Sequence, residues 1–181
     1  MQIRILLKLK EKLNNYPGLQ DLELHIIGGV RNSEDQKYMD DLIEYSNYLR
    51  VQDYIKFLPN RTIEEILEEF SKAKIGIHTM ISEHFGITLI EMMAAGLIVV
   101  THNSAGTKDY ILVKDIEGNM PDFLADTEND YINQIGEILI RYEQMRNQYI
   151  NSATKKAEEF SDEDFKEKFI NQLNEFLFKI N

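Results

Sequence analysis

Ile75-Gly76-Ile77-His78-Thr79, Ile87-Thr88-Leu89-Ile90-Glu91-Met92-Met93-Ala94-Ala95 and Leu97-Ile98-Val99-Val100-Thr101 follow one another with only the loop 80–86 and Gly96 between them. The first and last are short β-prone runs, and the last is apolar at every position before Thr101, as a strand covered on both faces should be. The middle segment has a helical pattern and stops at Gly96, a residue type that ends helices in the left-handed conformation. A strand, a helix and a strand joined this closely form a parallel pair with the helix crossing one face.

The same alternation extends outward in both directions. Residues 2–14 read as an amphipathic helix ended by Asn14, Asn15, Pro17 and Gly18, and residues 22–27 as a strand that stops at Gly28-Gly29. Ser33 is placed to cap a helix carrying Tyr38, Leu42, Tyr45 and Leu49 at helical spacing. A second strand runs over 54–58 and is closed by Pro59, and Thr62 with Glu65 forms a capping box that opens a helix over 63–73. Downstream, the pattern predicts a short helix over 108–113, a weak strand over 122–125, and helices from Glu128 onward. Ser161-Asp162-Glu163-Asp164 reads as a helix start favoured by the dipole, and Phe165, Phe169, Leu173, Phe176 and Leu177 as an apolar stripe that packs into the core or, as the alternative, is partly exposed to meet another domain. The predicted class is α/β, a Rossmann-like parallel sheet with helices on both faces that ends in helices. The 181 residues fit one domain with one buried core.

Composition removes several functions. The formal net charge of -11 lacks the clustered cations that displace counterions from nucleic acid, so no nucleic-acid partner is expected. An acidic surface also disfavours anionic lipid, and no apolar run approaches the ~20 residues of a membrane span. There is no cysteine, which excludes disulfides and thiolate metal sites. The first ten residues carry charges through their apolar part and do not form a signal peptide. A chain opening inside such a helix is expected to belong to something longer.

Ligands of open parallel sheets gather at the carboxyl ends of the strands, which selects the loops 28–33, 80–86 and 102–107. Within the second, Glu83 and Glu91 are separated by seven residues. Eight positions at ~1.5 Å each span ~12 Å if helical, about the distance between the two sugar rings of a nucleotide-sugar. Ionised carboxylates only accept hydrogen bonds and therefore suit sugar hydroxyls. Gly86 allows close backbone approach, and the amides of Ile87 and Thr88 at the helix start suit a diphosphate. His78, His84 and His102 lie near Glu83 in sequence, but no helical His-x-x-x-His pair is present, and hydrogen-bonded structural histidines are the commoner outcome. His84 then reads as a wall of this site, and Gly28-Gly29 as either a ligand-contacting turn or an ordinary one.

This segment resembles the Glu-x7-Glu signature of the large group 1 family of retaining glycosyltransferases, whose members have the two-Rossmann-domain GT-B architecture. Four stretches bring the chain nearer to the dolichol-pathway α-1,2-mannosyltransferases: Ile26-Ile27-Gly28-Gly29-Val30-Arg31-Asn32, Ile75-Gly76-Ile77-His78-Thr79-Met80, Asn103-Ser104-Ala105-Gly106-Thr107-Lys108 and Phe123-Leu124-Ala125. The resemblance implies that residues 1–181 form the C-terminal nucleotide-sugar-binding domain, with an N-terminal acceptor domain outside them. It implies Glu83 as the catalytic-centre carboxylate on the mannose hydroxyls, beside the backbone of Phe85 and Gly86. Glu91 would hold the ribose diol, and Ile87 and Thr88 the diphosphate. Gly28 and Gly29 would pass close to the nucleotide, residues 57–59 would border the base, and Lys108 would be available to an anion. The implied donor is GDP-mannose without an essential metal, and the implied acceptor is a lipid-linked oligosaccharide held by the other domain at the cytoplasmic face of the endoplasmic reticulum. One departure stands out: the usual Gly-Gly-Pro-Lys run is Ala105-Gly106-Thr107-Lys108 here, with a Cβ where glycine tolerates positive φ. A UDP-sugar transferase of the same fold and a non-catalytic nucleotide-binding module remain alternative readings.

Overall fold

Helix α1 (Gln2–Leu13) buries Ile3, Ile5, Leu6, Leu9 and Leu13 and leaves Lys8 and Lys12 exposed, so its apolar face needs a partner. That partner is α5 (Glu128–Glu158), to which α1 is tied by Arg4 Nε on Glu128 Oε2 at 2.7 Å and Lys12 Nζ on Asn133 Oδ1 at 2.8 Å. The computed structural model describes residues 1–112 and 123–180, without the side chains of 110 and 177–180. After α1 the order is β1 (Leu24–Gly28), α2 (Ser33–Tyr48), a 3₁₀ turn (Gln52–Tyr54), β2 (Ile55–Pro59), α3 (Ile63–Lys72) and β3 (Ile75–His78). There follow α4 (Ile87–Ala94), β4 (Ile98–His102), a π-type turn (Thr107–Ile111), β5 (Leu124–Ala125), α5 and α6 (Asp162–Ile180). All strand pairs are parallel, so the carboxyl ends of β1, β3 and β4 carry the loops that sequence selects. The Rossmann-like α/β class is what the structure has.

Local chemistry explains most boundaries. Thr62 Oγ1 accepts from Glu65 N–H while the Glu65 carboxylate accepts from Thr62 N–H, the capping box expected at α3. Helix α2 differs by one residue: Asn32, not Ser33, is the N-cap, because its side chain reaches the amides of both Glu34 and Asp35. Ser161 Oγ accepts from Asp164 N–H, which confirms that the acidic cluster is a helix start. Of the expected short helix over 108–113 and strand over 122–125, Val113 and Asp122 lie outside the described residues.

Three larger features depart from the sequence reading. The strands form two hydrogen-bonded blocks, β1–β2 and β3–β4–β5, in place of one continuous sheet. The core is likewise divided, with a large cluster around Val99, Val100, Leu89 and Met93 and a small one around Ile3, Leu6, Val51 and Ile55. The α6 stripe is not core: Phe165 is 68% exposed and Phe176 62%, and Leu177's side chain lies outside the described set. A helical period reports an apolar face but not what the face meets.

Strand β4 is the most deeply buried element, with Ile98, Val99 and Val100 sealed from solvent. Beyond the short β5 its edge is completed by a side chain, since the Val99 N–H donates to Tyr149 Oη at 3.1 Å. Burial pushes the Tyr149 hydroxyl up to about 12. Tyr149→Phe leaves the Val99 amide unpaired in the core, so we expect a loss of about 1–3 kcal/mol in urea unfolding, whereas Phe165→Ser on exposed α6 changes stability by about 0.5 kcal/mol or less.

Candidate functional site

The loop 79–86 ends at Gly86, which takes φ 80° and ψ 48° and caps α4 without a side chain. A Cβ there would meet Leu89 Cδ1 at 2.9 Å and would have to adopt a left-handed backbone, so glycine is required twice over. Opening α4 this way leaves its first amides facing outward with the positive end of the dipole. Helix α4 buries Leu89, Ile90, Met92 and Met93, yet Glu91 between them is exposed.

A second loop holds the first in place. Gly106 N–H donates to the Glu83 carbonyl at 2.9 Å, and Ser82 N–H donates to Ser104 Oγ at 2.9 Å. The loops approach so closely that a Cβ on Gly106 would lie 2.0 Å from the His84 carbonyl oxygen. Thr107 Oγ1 donates toward the carbonyls of His102 and Ser104, both at 2.7 Å, and His102 Nδ1 lies 2.9 Å from Ser104 Oγ. Ala105 takes φ 47° in this turn, a conformation unfavourable for a residue with a Cβ, and this is the position where sequence places alanine against the family's glycine.

Glu83 is partly buried. Its Oε1 accepts from Phe85 N–H at 3.2 Å and its Oε2 lies 3.6 Å from His78 Nε2. His78, at the carboxyl end of β3, has its backbone carbonyl held by Tyr131 Oη at 2.9 Å, and its Nδ1 is buried without a partner among the described residues. Burial lowers the His78 pKa below the ordinary histidine value, and the Glu83 charge opposes that shift as the smaller effect. The ring is therefore neutral at pH 7.

A cavity of about 1190 Å³ opens between the two sheet blocks, and its wall at the carboxyl ends of the strands includes Gly28, Gly29, His78, Thr79, Thr88 and Glu91. The structure thus brings four sequence-selected residues, Gly28, Gly29, Thr88 and Glu91, to one cavity. Glu83 adjoins that wall through His78. His84, Phe85, Gly86, Ile87 and Lys108 do not line the cavity. Phe85 instead sets its ring edge-on to Phe160, centroids 5.8 Å apart, and Lys108 is exposed on the turn after β4. Among the described residues no three His, Asp or Glu side chains cluster as a metal would need.

Two residues of this wall escaped the sequence reading as site groups. In sequence His78 is one of three neighbouring histidines, of which His84 reads as the wall, and only its place at the end of β3 singles His78 out. Asn60, at φ 52°, pins the glycine loop by accepting from Val30 N–H at 2.7 Å and donating to Val30 O at 3.1 Å. The segment 57–59 precedes it in β2, while Asn60 and Arg61 line the cavity.

Parallel strands whose glycine loop and helix start share one cavity define a Rossmann-like domain of the kind that binds nucleotides. The comparisons narrow this. A family model described as glycosyl transferases group 1 matches residues 2–156, and the chain belongs to that family. It is 40% identical over 181 residues to the human GDP-Man:Man(3)GlcNAc(2)-PP-Dol alpha-1,2-mannosyltransferase, covering 99% of this chain and 36% of that protein. It is 35% identical to the Dictyostelium discoideum protein of the same name, covering 98% and 34%. The chain thus spans about a third of the length of these relatives. Among solved structures, a glycosyltransferase from Rickettsia africae superposes with a TM-score of 0.75 at 19% identity, over 97% of this chain and 44% of that one.

Two outcomes test the local account. Because the folded His78 pKa is depressed, the unfolded chain takes up this proton first as pH falls. The stability contributed by the neutral ring is complete above about pH 6.5 and is lost below it. NMR titration should place His78 below 6.5 and Glu83→Gln should lower it further, whereas a value at or above 6.5 contradicts the assignment. Ala105→Gly should raise stability by about 1 kcal/mol in denaturant titration, by relief of the positive φ.

Proposed function

We propose that residues 1–181 are the donor-binding domain of a retaining, metal-independent glycosyltransferase, completed by an acceptor-binding domain elsewhere in a longer protein. The reading extends to the transfer of mannose from GDP-mannose, in α-1,2 linkage, to a dolichol-linked oligosaccharide during N-glycan precursor assembly at the cytoplasmic face of the endoplasmic reticulum. Membership of the group 1 family and the similarity, at 35–40% identity, to alpha-1,2-mannosyltransferases support it. The acceptor would be held by the other domain.

The observation that carries the reading is that Gly28 and Gly29 after β1 and Thr88 and Glu91 of α4 line one cavity. A nucleoside diphosphate lying along it would place its phosphates at the α4 amides of Ile87 and Thr88, where the dipole favours an anion. Glu91, exposed between the buried Ile90 and Met92, would accept from the ribose hydroxyls. Glu83 would accept from the sugar hydroxyls. It is set there by the Phe85 amide, and its neutral neighbour His78 leaves the carboxylate's charge uncancelled. Lys108, exposed after β4, would meet an anion only if the ligand extends beyond the cavity, and His84 would form an outer wall.

Calorimetric titration with GDP, UDP and GDP-mannose tests this directly. We expect weak GDP binding, weaker UDP binding, and no transferase activity from the 181 residues alone. Loss of one charged hydrogen bond of about 1.5–3 kcal/mol corresponds to roughly tenfold or more. Glu91→Ala should weaken GDP by that factor, and Glu83→Ala should weaken GDP-mannose in preference to GDP. Silence toward all three ligands, or unchanged affinities in both variants, overturns the proposal.

A further inference from the structure

Two of the buried side-chain atoms left without a hydrogen-bond partner among the described residues belong to neighbours in the sheet, His78 Nδ1 and Thr101 Oγ1. His78 ends β3 and Thr101 is its register partner on β4, so in this parallel pair both side chains leave the same face from strands about 4.8 Å apart. That face is the one α4 covers, since a Cβ on Gly76, two residues before His78, would strike Met92. Thr101 is sealed from solvent, and the His78 backbone is held by the Tyr131 hydroxyl on its carbonyl at 2.9 Å. A buried polar atom without a partner is costly, and a hydroxyl beside a ring nitrogen supplies what the other lacks.

The second ring nitrogen decides which atom carries the proton. Burial lowers the His78 pKa, so the ring has a single proton to place. His78 Nε2 lies 3.6 Å from Glu83 Oε2, and an ionised carboxylate only accepts. A proton on Nδ1 would set the bare Nε2 lone pair against the carboxylate, whereas a proton on Nε2 makes the same contact attractive. Nδ1 is then an acceptor, and Thr101 carries the donor next to it. Glu83 has one other fixed donor, the Phe85 N–H on Oε1 at 3.2 Å. One donor on each oxygen sets the plane of the carboxylate and leaves its remaining lone pairs to a ligand. The 3.6 Å separation is longer than a formed hydrogen bond, as contacts of site groups often are before a substrate arrives.

We propose that His78, in the Nε2-protonated tautomer set by the Thr101 hydroxyl, is a positioning residue that aims the Glu83 carboxylate at the transferred sugar. Thr101 donates to Nδ1 directly or through one buried water, Nε2–H donates to Glu83 Oε2, and Glu83 accepts from the sugar hydroxyls. The chain of donors runs from the sheet interior to the cavity, and no proton is transferred along it. The inference rests on the reading of Glu83 as the carboxylate that meets the sugar, and it adds what orients that carboxylate.

Long-range ¹H–¹⁵N correlation of the histidine rings at pH 7 reads the tautomer in the ligand-free chain without any substitution. The expected result is a proton on Nε2 of His78 and none on Nδ1. Thr101→Val keeps the shape and removes the hydroxyl, so it should shift the Nδ1 resonance and admit the other tautomer, whereas Thr101→Ser should restore the original spectrum. Calorimetry then compares GDP-mannose with GDP. His78→Leu should lower the preference for GDP-mannose by roughly tenfold, the size of one lost hydrogen bond to a charged group, and leave GDP affinity within about twofold. His78→Gln, whose amide nitrogen replaces Nε2, should recover most of that preference. A proton on Nδ1, a Thr101→Val spectrum identical to the original, or a GDP-mannose preference indifferent to His78→Leu overturns the proposal. A chain that binds none of the nucleotides sinks the donor reading instead, and the ligand-free tautomer with its response to Thr101→Val still decides the arrangement of Thr101, His78 and Glu83.

Discussion

The hydrogen bond from the Gly106 amide to the Glu83 carbonyl fixes where the site's chemistry can be. It joins the loops that leave β3 and β4, and it forms only because residue 106 has no Cβ to strike the His84 carbonyl. With the loop pinned, the Glu83 carboxylate is turned onto its own Phe85 amide and toward His78, and Gly86 can start α4 in the left-handed conformation. Ser104 and Thr107 close the second loop on itself, so the pair behaves as one rigid lip along the carboxyl ends of the strands. The strain at Ala105 is offset by these contacts, which over-determine the turn.

Energetically the molecule is lopsided. Burial of β4, α4 and the middle of α5 supplies most of the apolar contact, with Tyr149 completing the β4 edge. The β1–β2 block is held by a smaller cluster and by exposed ion pairs such as Lys56 with Glu23, which contribute little in water. The glycine loop after β1 thus sits on the block with the smaller core, and Asn60 clamps Val30 there at both backbone groups.

What sequence disclosed and what it withheld divide along physical lines. The Thr62–Glu65 box, the Gly96 stop and the buried run Ile98–Val100 were legible because each is local: the signal and the structure lie within four residues. Glu83 and Glu91 stood out through their spacing and were given roles by a resemblance to a family, and the structure gives them different surroundings, one partly buried beside His78 and one exposed on the cavity wall. His78 and Asn60 were not selected, because their importance comes from what faces them across β1, β3 and the intervening space. The division into two blocks was equally hidden, since a strand's neighbours are set by topology and not by its own residues. The α6 stripe misled for a related reason, as spacing alone cannot say whether an apolar face has a partner.

The central claim is that a nucleoside diphosphate lies along the wall formed by the loop after β1 and the start of α4. Backbone amide spectra of the ¹⁵N-labelled chain recorded with increasing GDP read this residue by residue. The account predicts saturable shifts confined to Gly28, Gly29, Ile87, Thr88 and Glu91 and their immediate neighbours, with α6 unmoved. Saturable shifts that avoid these residues, or spectra unchanged at millimolar GDP, would contradict it.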